Sequence, residues 1–391
     1  MKILVVTPYY KPSWTYGGPP RCIAELAEAM VRYHQLPIQV VTLNANGRHP
    51  LFDTGETVVK TEEGVNVHYL PRTDSLWGKA YFHSPDLKNY LENFGDVDLV
   101  HVNTMFNAFS RCGMEFAVRK KIPFVMTFHG MMDHYSLSVS RWIKSIHRTV
   151  FDNRLLPKAA AIHYTSAFEK KNSVVRAAIP DEIIPIGIEF KEGTLPPAVH
   201  KSTKDEAGLR LVFLGRLHPI KGLDVLIHAL HIARKHYGIP VHLDVFGSDD
   251  AGYRAKLERI VLSHELEKYV SFKGALSPAE RDEKLAEYDC MALTSYHENF
   301  GLAAAEALAQ GIPVLVSDQV SLADFISSNK CGWVAASDAD AIARKLEEIY
   351  QTPAAQKRQM GERGFDAVRR EFDLRKIAAR FFQFYTAHRR K

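Results

Sequence analysis

The segment Cys290-Met-Ala-Leu-Thr294, followed closely by Glu298-Asn-Phe-Gly-Leu-Ala-Ala-Ala-Glu306, decides how this chain is read. Its first part is a short apolar run with the length of a strand buried on both faces. Its second part turns at Phe300-Gly301-Leu302 and enters Ala303-Ala304-Ala305, a run of strong helix formers. Together they make one βα unit. A helix opened in this way leaves its first amides without intrahelical acceptors, which suits phosphate oxygens. Glu306, one turn into the helix, is placed to reach a ribose hydroxyl beside such phosphates, and Glu298 faces whatever hangs from the far phosphate. The layout fits a sugar nucleotide. Acidic residues at a helix start are equally explained by the helix dipole alone, at ~0.3–1 kcal/mol each.

The same unit recurs on both sides. In the first half, apolar runs at Ile3–Thr7, Ile38–Leu43, Val65–Leu70, Leu99–Asn103, Phe124–Phe128 and Ala160–Thr165 alternate with helical stretches such as Arg21–His34 and Met105–Lys120. Residues 186–208 carry Gly193, Pro196, Pro197 and a polar run without periodicity, the composition of a linker. The rhythm then restarts at Arg210–Leu214, Val241–Phe246, Val270–Lys273, Cys290–Thr294, Pro313–Ser317 and Trp333–Ala335, with helices such as Gly222–His236, Pro278–Tyr288 and Ala339–Tyr350. Strand-helix alternation twice over predicts an α/β fold of two facing, Rossmann-like, doubly wound domains with the ligand in an interdomain cleft. The expected division is 1–190, a linker at 191–208, a nucleotide-sugar domain at 209–365, and a C-terminal helix at 366–391 whose crowded aromatics, Phe381, Phe382, Phe384 and Tyr385, pack against another part of the chain.

Composition narrows the function classes. A chain of 391 residues with 46% hydrophobic and 24% charged content is a globular protein of two-domain size. A net charge of +5 suits an anionic small ligand and falls short of a nucleic-acid-binding signature. Cys22, Cys112, Cys290 and Cys331 are far apart, without the spacing of a zinc site or a disulfide framework. The chain starts directly on a strand pattern without a signal peptide, and no run approaches the ~18 apolar residues of a membrane span. The expectation is a cytoplasmic protein, soluble or peripheral.

Further candidates sit at strand ends. Gly215-Arg216 and Lys221-Gly222 follow the first strand of the second half, where two cations can neutralise a diphosphate. A solvated basic loop is the plain alternative, and position at the strand end favours the functional one. Gly17-Gly18, between the first strand and the first helix, permits close backbone approach and adds helix-start amides. His129, after the fifth strand, is placed as a donor to a sugar hydroxyl or a proton carrier near neutral pH. Asp96-Val97-Asp98 imitates an Asp-x-Asp metal motif but precedes its strand, at the wrong edge of the sheet; no metal is expected. Neither Gly-x-Gly-x-x-Gly after a strand nor a P-loop occurs, which disfavours a dehydrogenase or NTPase.

Taken together, Glu298-x7-Glu306, Gly215-Arg216 with Lys221-Gly222, Gly17-Gly18 and His129 resemble the family 4 retaining glycosyltransferases of GT-B fold, over nearly the whole chain. The resemblance implies metal-independent transfer of a hexose from a nucleotide diphosphate sugar, a UDP-hexose such as UDP-glucose favoured, to an acceptor hydroxyl. It implies that Arg216 and Lys221 hold the diphosphate with the amides of Phe300, Gly301 and Leu302, and that Gly17 and Gly18 approach it. Glu306 would bind the ribose; Glu298, with Asn299, the donor sugar; His129 the sugar near the reacting centre. The segment Phe272–Leu276, ending at Leu276, would bond the base. The final helix, 366–391, would cross back onto the first domain, and no cofactor is implied beyond the nucleotide sugar itself. Where many relatives have a Gly-Gly turn, this chain reads Ser317-Asp318-Gln319-Val320-Ser321, so sugar specificity is not carried over.

The favoured function is hexose transfer in bacterial polysaccharide or glycolipid assembly, with a saccharide or lipid-linked saccharide as acceptor. A lipid-linked acceptor would bring the enzyme to the inner face of the membrane. Arg141-Trp142-Ile143-Lys144 with Ile146 and Arg148 has the mixture of an interfacial helix, although an amphipathic helix packed on its own domain is the favoured reading. The alternatives are a sugar-nucleotide epimerase of the same architecture, which needs no acceptor, and a sugar-binding protein, which would want a signal peptide.

Overall fold

The computed structural model describes residues 1–175, 177–190, 208–249, 252–276 and 278–390. The expected linker at 191–208 lies outside the described residues apart from Gly208. The chain separates into two compact units, one of Met1–Gly187 with Leu374–Lys391, the other of Ile188–Asp373.

Among the described residues, the first unit is built on eight strands: β1 Ile3–Val6, β2 Ile38–Leu43, β3 Val58–Glu62, β4 Val65–Leu70, β5 Leu99–Asn103, β6 Phe124–Thr127, β7 Ala161–Tyr164 and β8 Asp181–Ile183. They lie in the order β3-β4-β2-β1-β5-β6-β7-β8. Each neighbouring pair is parallel except β3 with β4. Strand β1 shows why an all-apolar run becomes central. Ile3 and Val5 enter the core on one face of the sheet, while Leu4 and Val6 enter the core on the other.

The antiparallel edge strand β3 was not expected from the sequence. Its Val-Val-Lys-Thr-Glu is largely exposed and lacks the apolar signature. Its turn did carry a signal: Glu63 and Gly64 both take positive φ, 49° and 81°, as a two-residue hairpin requires.

The second unit holds β9 Leu209–Leu214, β10 Val241–Phe246, β11 Val270–Gly274, β12 Cys290–Leu293, β13 Val314–Ser317 and β14 Gly332–Ala335. These six parallel strands run β11-β10-β9-β12-β13-β14. Counted from the first strand of the unit, this is the 3-2-1-4-5-6 order of doubly wound dinucleotide folds. Chain direction across the sheet reverses between β9 and β12, so the loops leaving those two strands flank the switch point.

The single C-terminal helix expected at 366–391 is the end of one helix and the whole of another. Ala354–Glu371 belongs to the second unit, and Leu374–His388 to the first. Phe381, Phe384 and Tyr385 of the last helix are buried in the first unit's core. A chain of polar contacts ties that helix to the sheet. Tyr385 Oη meets His101 Nδ1 at 2.7 Å, His101 Nε2 meets Thr127 Oγ1 at 2.7 Å, Thr127 Oγ1 meets His163 Nδ1 at 2.8 Å, and His163 Nε2 meets the Ile184 carbonyl at 2.7 Å. A carbonyl only accepts, so His163 Nε2 carries the proton, and with both rings neutral every other donor in the chain is fixed. Thr127 donates to His163 Nδ1, His101 Nε2–H donates to Thr127, and Tyr385 donates to His101 Nδ1. Burial keeps both rings neutral, holding His101 well below the usual imidazole range and His163 down to about 4.

Candidate functional site

The second unit brings most of the candidate residues to the switch point between β9 and β12. After β9, Gly215 donates its amide to Phe246 O and Leu217 donates to Ser248 O, which ties this loop to the end of β10. A short helical turn, Pro219–Lys221, then ends on Gly222 at φ 62°. A Cβ at Gly222 would stand 2.1 Å from the Thr294 carbonyl, so only glycine fits where this loop crosses the end of β12. Tyr296 N to Ile220 O and Thr294 Oγ1 to Gly222 O fasten the two loops together.

The outcome of that stitching is an ion pair. Lys221 Nζ bonds Glu298 Oε2, both side chains being mostly buried. Glu298 is itself held by its backbone: its amide donates to Gln319 O at 3.1 Å and its carbonyl accepts from Ser321 N at 3.0 Å. The Ser317–Ser321 loop, where the chain departs from the Gly-Gly turn, thus carries Glu298. Arg216 is exposed and has no ion-pair or hydrogen-bond partner among the described residues. Between these two cations His218 sits below its usual range, through burial first and then through the charges of Arg216 and Lys221.

Gly301 caps the helix Leu302–Ala309 at φ 93°, and a Cβ there would meet Val320 Cγ1 at 3.0 Å. Ala304 and Ala305 both donate to Gly301 O, whereas the amides of Phe300, Gly301 and Leu302 have no acceptor among the described residues. The ring of Phe300 is buried against Phe372 at 5.4 Å between centroids. Leu276 is half-buried just beyond the end of β11. Glu306 is buried, and its Oε2 lies 2.7 Å from Arg281 Nη1. Arg281 was missed in the sequence because it lies in Glu280-Arg281-Asp282-Glu283-Lys284, a run that reads as a solvated helix face.

Gly17, Gly18 and His129 belong to the first unit. Gly17, at φ 87°, caps the helix Gly18–His34. The expectation of several helix-start amides needs correcting, since Pro19 and Pro20 follow and lack N–H groups, so Gly18 and then Arg21 are the first donors. His129, at φ 51°, is half-buried, with Nε2 3.0 Å from Asn103 Oδ1. Burial, with a smaller push from His163, lowers its pKa to about 3. It is therefore neutral at pH 7, a hydrogen-bonding group rather than the proton carrier that its unperturbed value suggested. Glu169, not singled out in the sequence, holds this loop: its buried carboxylate accepts from Gly130 N at 2.6 Å and from Thr165 N and Oγ1 at 2.7 and 2.8 Å. Its only sequence signal was Ser166-x-x-Glu169, a helix-start pattern. Asp98 accepts from Lys2 N at 2.7 Å and lies 3.7 Å from the Met1 amine.

Two family models between them cover most of the chain. The family described as glycosyl transferases group 1 matches residues 198–366, and glycosyltransferase family 4 matches residues 16–192. The chain belongs to glycosyltransferase family 4. A D-inositol 3-phosphate glycosyltransferase of Jonesia denitrificans is 26% identical over 345 residues, 81% of this chain and 78% of that protein. Among solved structures, sucrose-phosphate synthase from Thermosynechococcus elongatus is 19% identical, covers 99% of both chains and superposes with a TM-score of 0.74. HepE of Anabaena, in complex with UDP and glucose, is 17% identical, with 99% of this chain and 100% of that one covered and a TM-score of 0.73. These structural likenesses show the fold, which is GT-B. The family 4 assignment makes the chain a glycosyltransferase and does not favour the epimerase alternative.

Proposed function

We propose that this glycosyltransferase moves a hexose from a UDP-hexose, UDP-glucose favoured, to an acceptor hydroxyl in polysaccharide or glycolipid assembly, with retention and without a metal. The observation that carries this reading is the Lys221–Glu298 ion pair beside the amides of Phe300, Gly301 and Leu302 at the switch point. The UDP and glucose bound by the HepE structure support the choice of donor.

In this reading Lys221, Arg216 and the helix-start amides bind the diphosphate, and Glu298 with Asn299 binds the sugar hydroxyls. Glu306 takes the ribose, the backbone around Leu276 the base, Gly17 and Gly18 approach the phosphates, and neutral His129 bonds a sugar hydroxyl. Cleaving the bond from the anomeric carbon to phosphate oxygen puts positive charge on the ring and negative charge on the departing UDP. Fixed cations and amides aimed at that oxygen lower the barrier, in the place a divalent ion would otherwise take. The acceptor oxygen attacks on the face the phosphate leaves, and its proton passes to the departing phosphate oxygen. The acceptor is a saccharide or lipid-linked saccharide, and the enzyme works in the cytoplasm at the inner face of the membrane.

A thermal-shift series with UDP, GDP, ADP and their hexose conjugates, with and without EDTA, tests this. Stabilisation of about 2.7 kcal/mol is expected at a ligand concentration 100-fold over Kd, from UDP and UDP-glucose and unaltered by EDTA. No shift with any nucleotide, or one that needs a divalent ion, would overturn the proposal.

A further inference from the structure

The helix Arg141–His147 runs on through a wider-wound turn, Arg148–Asp152, into Asn153–Leu155. One side of this rod is pinned to the first unit. His147 is buried, with Nδ1 3.1 Å from Asp152 and Nε2 2.9 Å from Tyr81 Oη. Arg111 lies over the Phe151 ring at 4.9 Å. The expected packing of the amphipathic helix is therefore reversed, because polar pins occupy the inner side and the apolar residues face out. Trp142 is 83% exposed, Ile143 72% and Ile146 63%, with Val150 also exposed. Helical spacing gathers these four into one arc of about 100°. A second exposed apolar pair, Leu76 and Trp77, stands nearby, since the Trp77 ring lies 5.4 Å from Tyr81 and the Tyr81 ring 5.8 Å from His147.

The charge around the ridge is one-sided. Residues 134–158 contain Arg141, Lys144, Arg148, Arg154 and Lys158 against a single carboxylate, the buried Asp152. Arg141, Arg154 and Lys158 are exposed.

We propose that this ridge docks the protein on an anionic lipid bilayer. Trp142, Ile143 and Ile146 enter the boundary between headgroups and acyl chains, and the flanking cations pair with lipid phosphates while their stems lie along apolar surface. Charge complementarity selects this occupant, because a second copy of the chain would bring two positive rims together. The proposal rests on the reading of a lipid-linked acceptor, and it supplies the surface that such an enzyme needs.

Co-flotation of the full chain with phosphatidylcholine vesicles, with and without phosphatidylglycerol, tests it. The chain is expected to float with the anionic vesicles only and to be released at roughly 0.5 M salt, where screening is short-ranged. Trp142→Ser and, separately, Ile146→Ser should each weaken vesicle binding about tenfold, with UDP-induced stabilisation kept as proof of folding. Absence of the wild-type chain from anionic vesicles, or equal flotation of both variants, overturns the proposal. So does a dimer in sedimentation that Trp142→Ser dissolves while vesicles bind nothing. Vesicle binding without any nucleotide shift would sink the transferase reading and leave the docking face standing.

Discussion

The Lys221 ammonium and the Glu298 carboxylate, 77 positions apart in the chain, are bonded to each other at the switch point of the second sheet. A diphosphate that recruits Lys221 must compete with Glu298, and the two residues should therefore separate in a binding experiment. Lys221→Ala is expected to weaken UDP binding by about 10- to 100-fold, the loss of a charge-assisted bond. Glu298→Gln removes the competitor, so UDP binding should hold or tighten while transfer collapses. Calorimetry with UDP, run beside initial rates, checks both. Weakened UDP binding in Glu298→Gln would show that the pair is not in competition with phosphate.

Glu306 and Arg281 form the second charged contact, and it is more deeply enclosed than the first. Removing either partner breaks a largely buried ion pair, at a cost of about 3 kcal/mol. Urea unfolding of Glu306→Ala, Arg281→Ala and the double variant should give a coupling well above zero, the double losing less than the sum. Strictly additive losses would mean that the contact contributes no coupling.

The polar chain from Tyr385 to Ile184 predicts acid sensitivity. Its imidazoles are neutral when folded but charge in the unfolded chain below about pH 6.5. Between that value and about 4 for His163, the unfolded state binds more protons. Their contribution is therefore complete above about pH 6.5 and is lost as the pH falls through that window, at up to ~1.4 kcal/mol per pH unit for each ring. His163→Gln, which keeps a donor and an acceptor but does not titrate, should flatten the slope of stability against pH. An unchanged slope would place the acid sensitivity elsewhere.

Tyr385→Phe removes the donor to His101 Nδ1 and leaves that buried nitrogen unsatisfied. A loss of about 1–3 kcal/mol is expected, together with faster hydrogen exchange in the helix Leu374–His388. Exchange unchanged in that helix would mean that its apolar face alone docks it.

Gly301→Ala forces a side chain into φ 93° and against Val320. It should cost about 1–2 kcal/mol and raise the KM for donor more than that for acceptor, because the displaced element is the helix start. Equal effects on both substrates would separate Gly301 from the donor.

Much of the architecture was readable from local pattern. The runs at Ile38–Leu43, Val65–Leu70, Leu99–Asn103 and Val241–Phe246 are strands with those limits. Buried parallel strands are apolar on both faces, and that leaves a trace within a few residues. Strand β3, a largely exposed edge, left none along its own length, and only its turn at Glu63-Gly64 carried a signal. The packing of Arg141–His147 was misread because its alternation was genuine but its orientation was not encoded. Only the buried His147–Asp152 and Tyr81 contacts show which side faces in.

By itself the sequence determined a doubled βα rhythm, the glycines that let loops turn at strand ends, and which loops carry the cations and carboxylates. The tertiary structure alone decided the lateral order of the strands. That order sets β9 beside β12, and so sets Lys221 on Glu298 rather than on solvent. It also decided that Arg281 meets Glu306, that Glu169 holds the His129 loop, and that Trp142 faces outward. The reason is physical: periodicity records how buried each residue is along its own element, whereas a charged side chain's partner depends on which distant elements pack side by side.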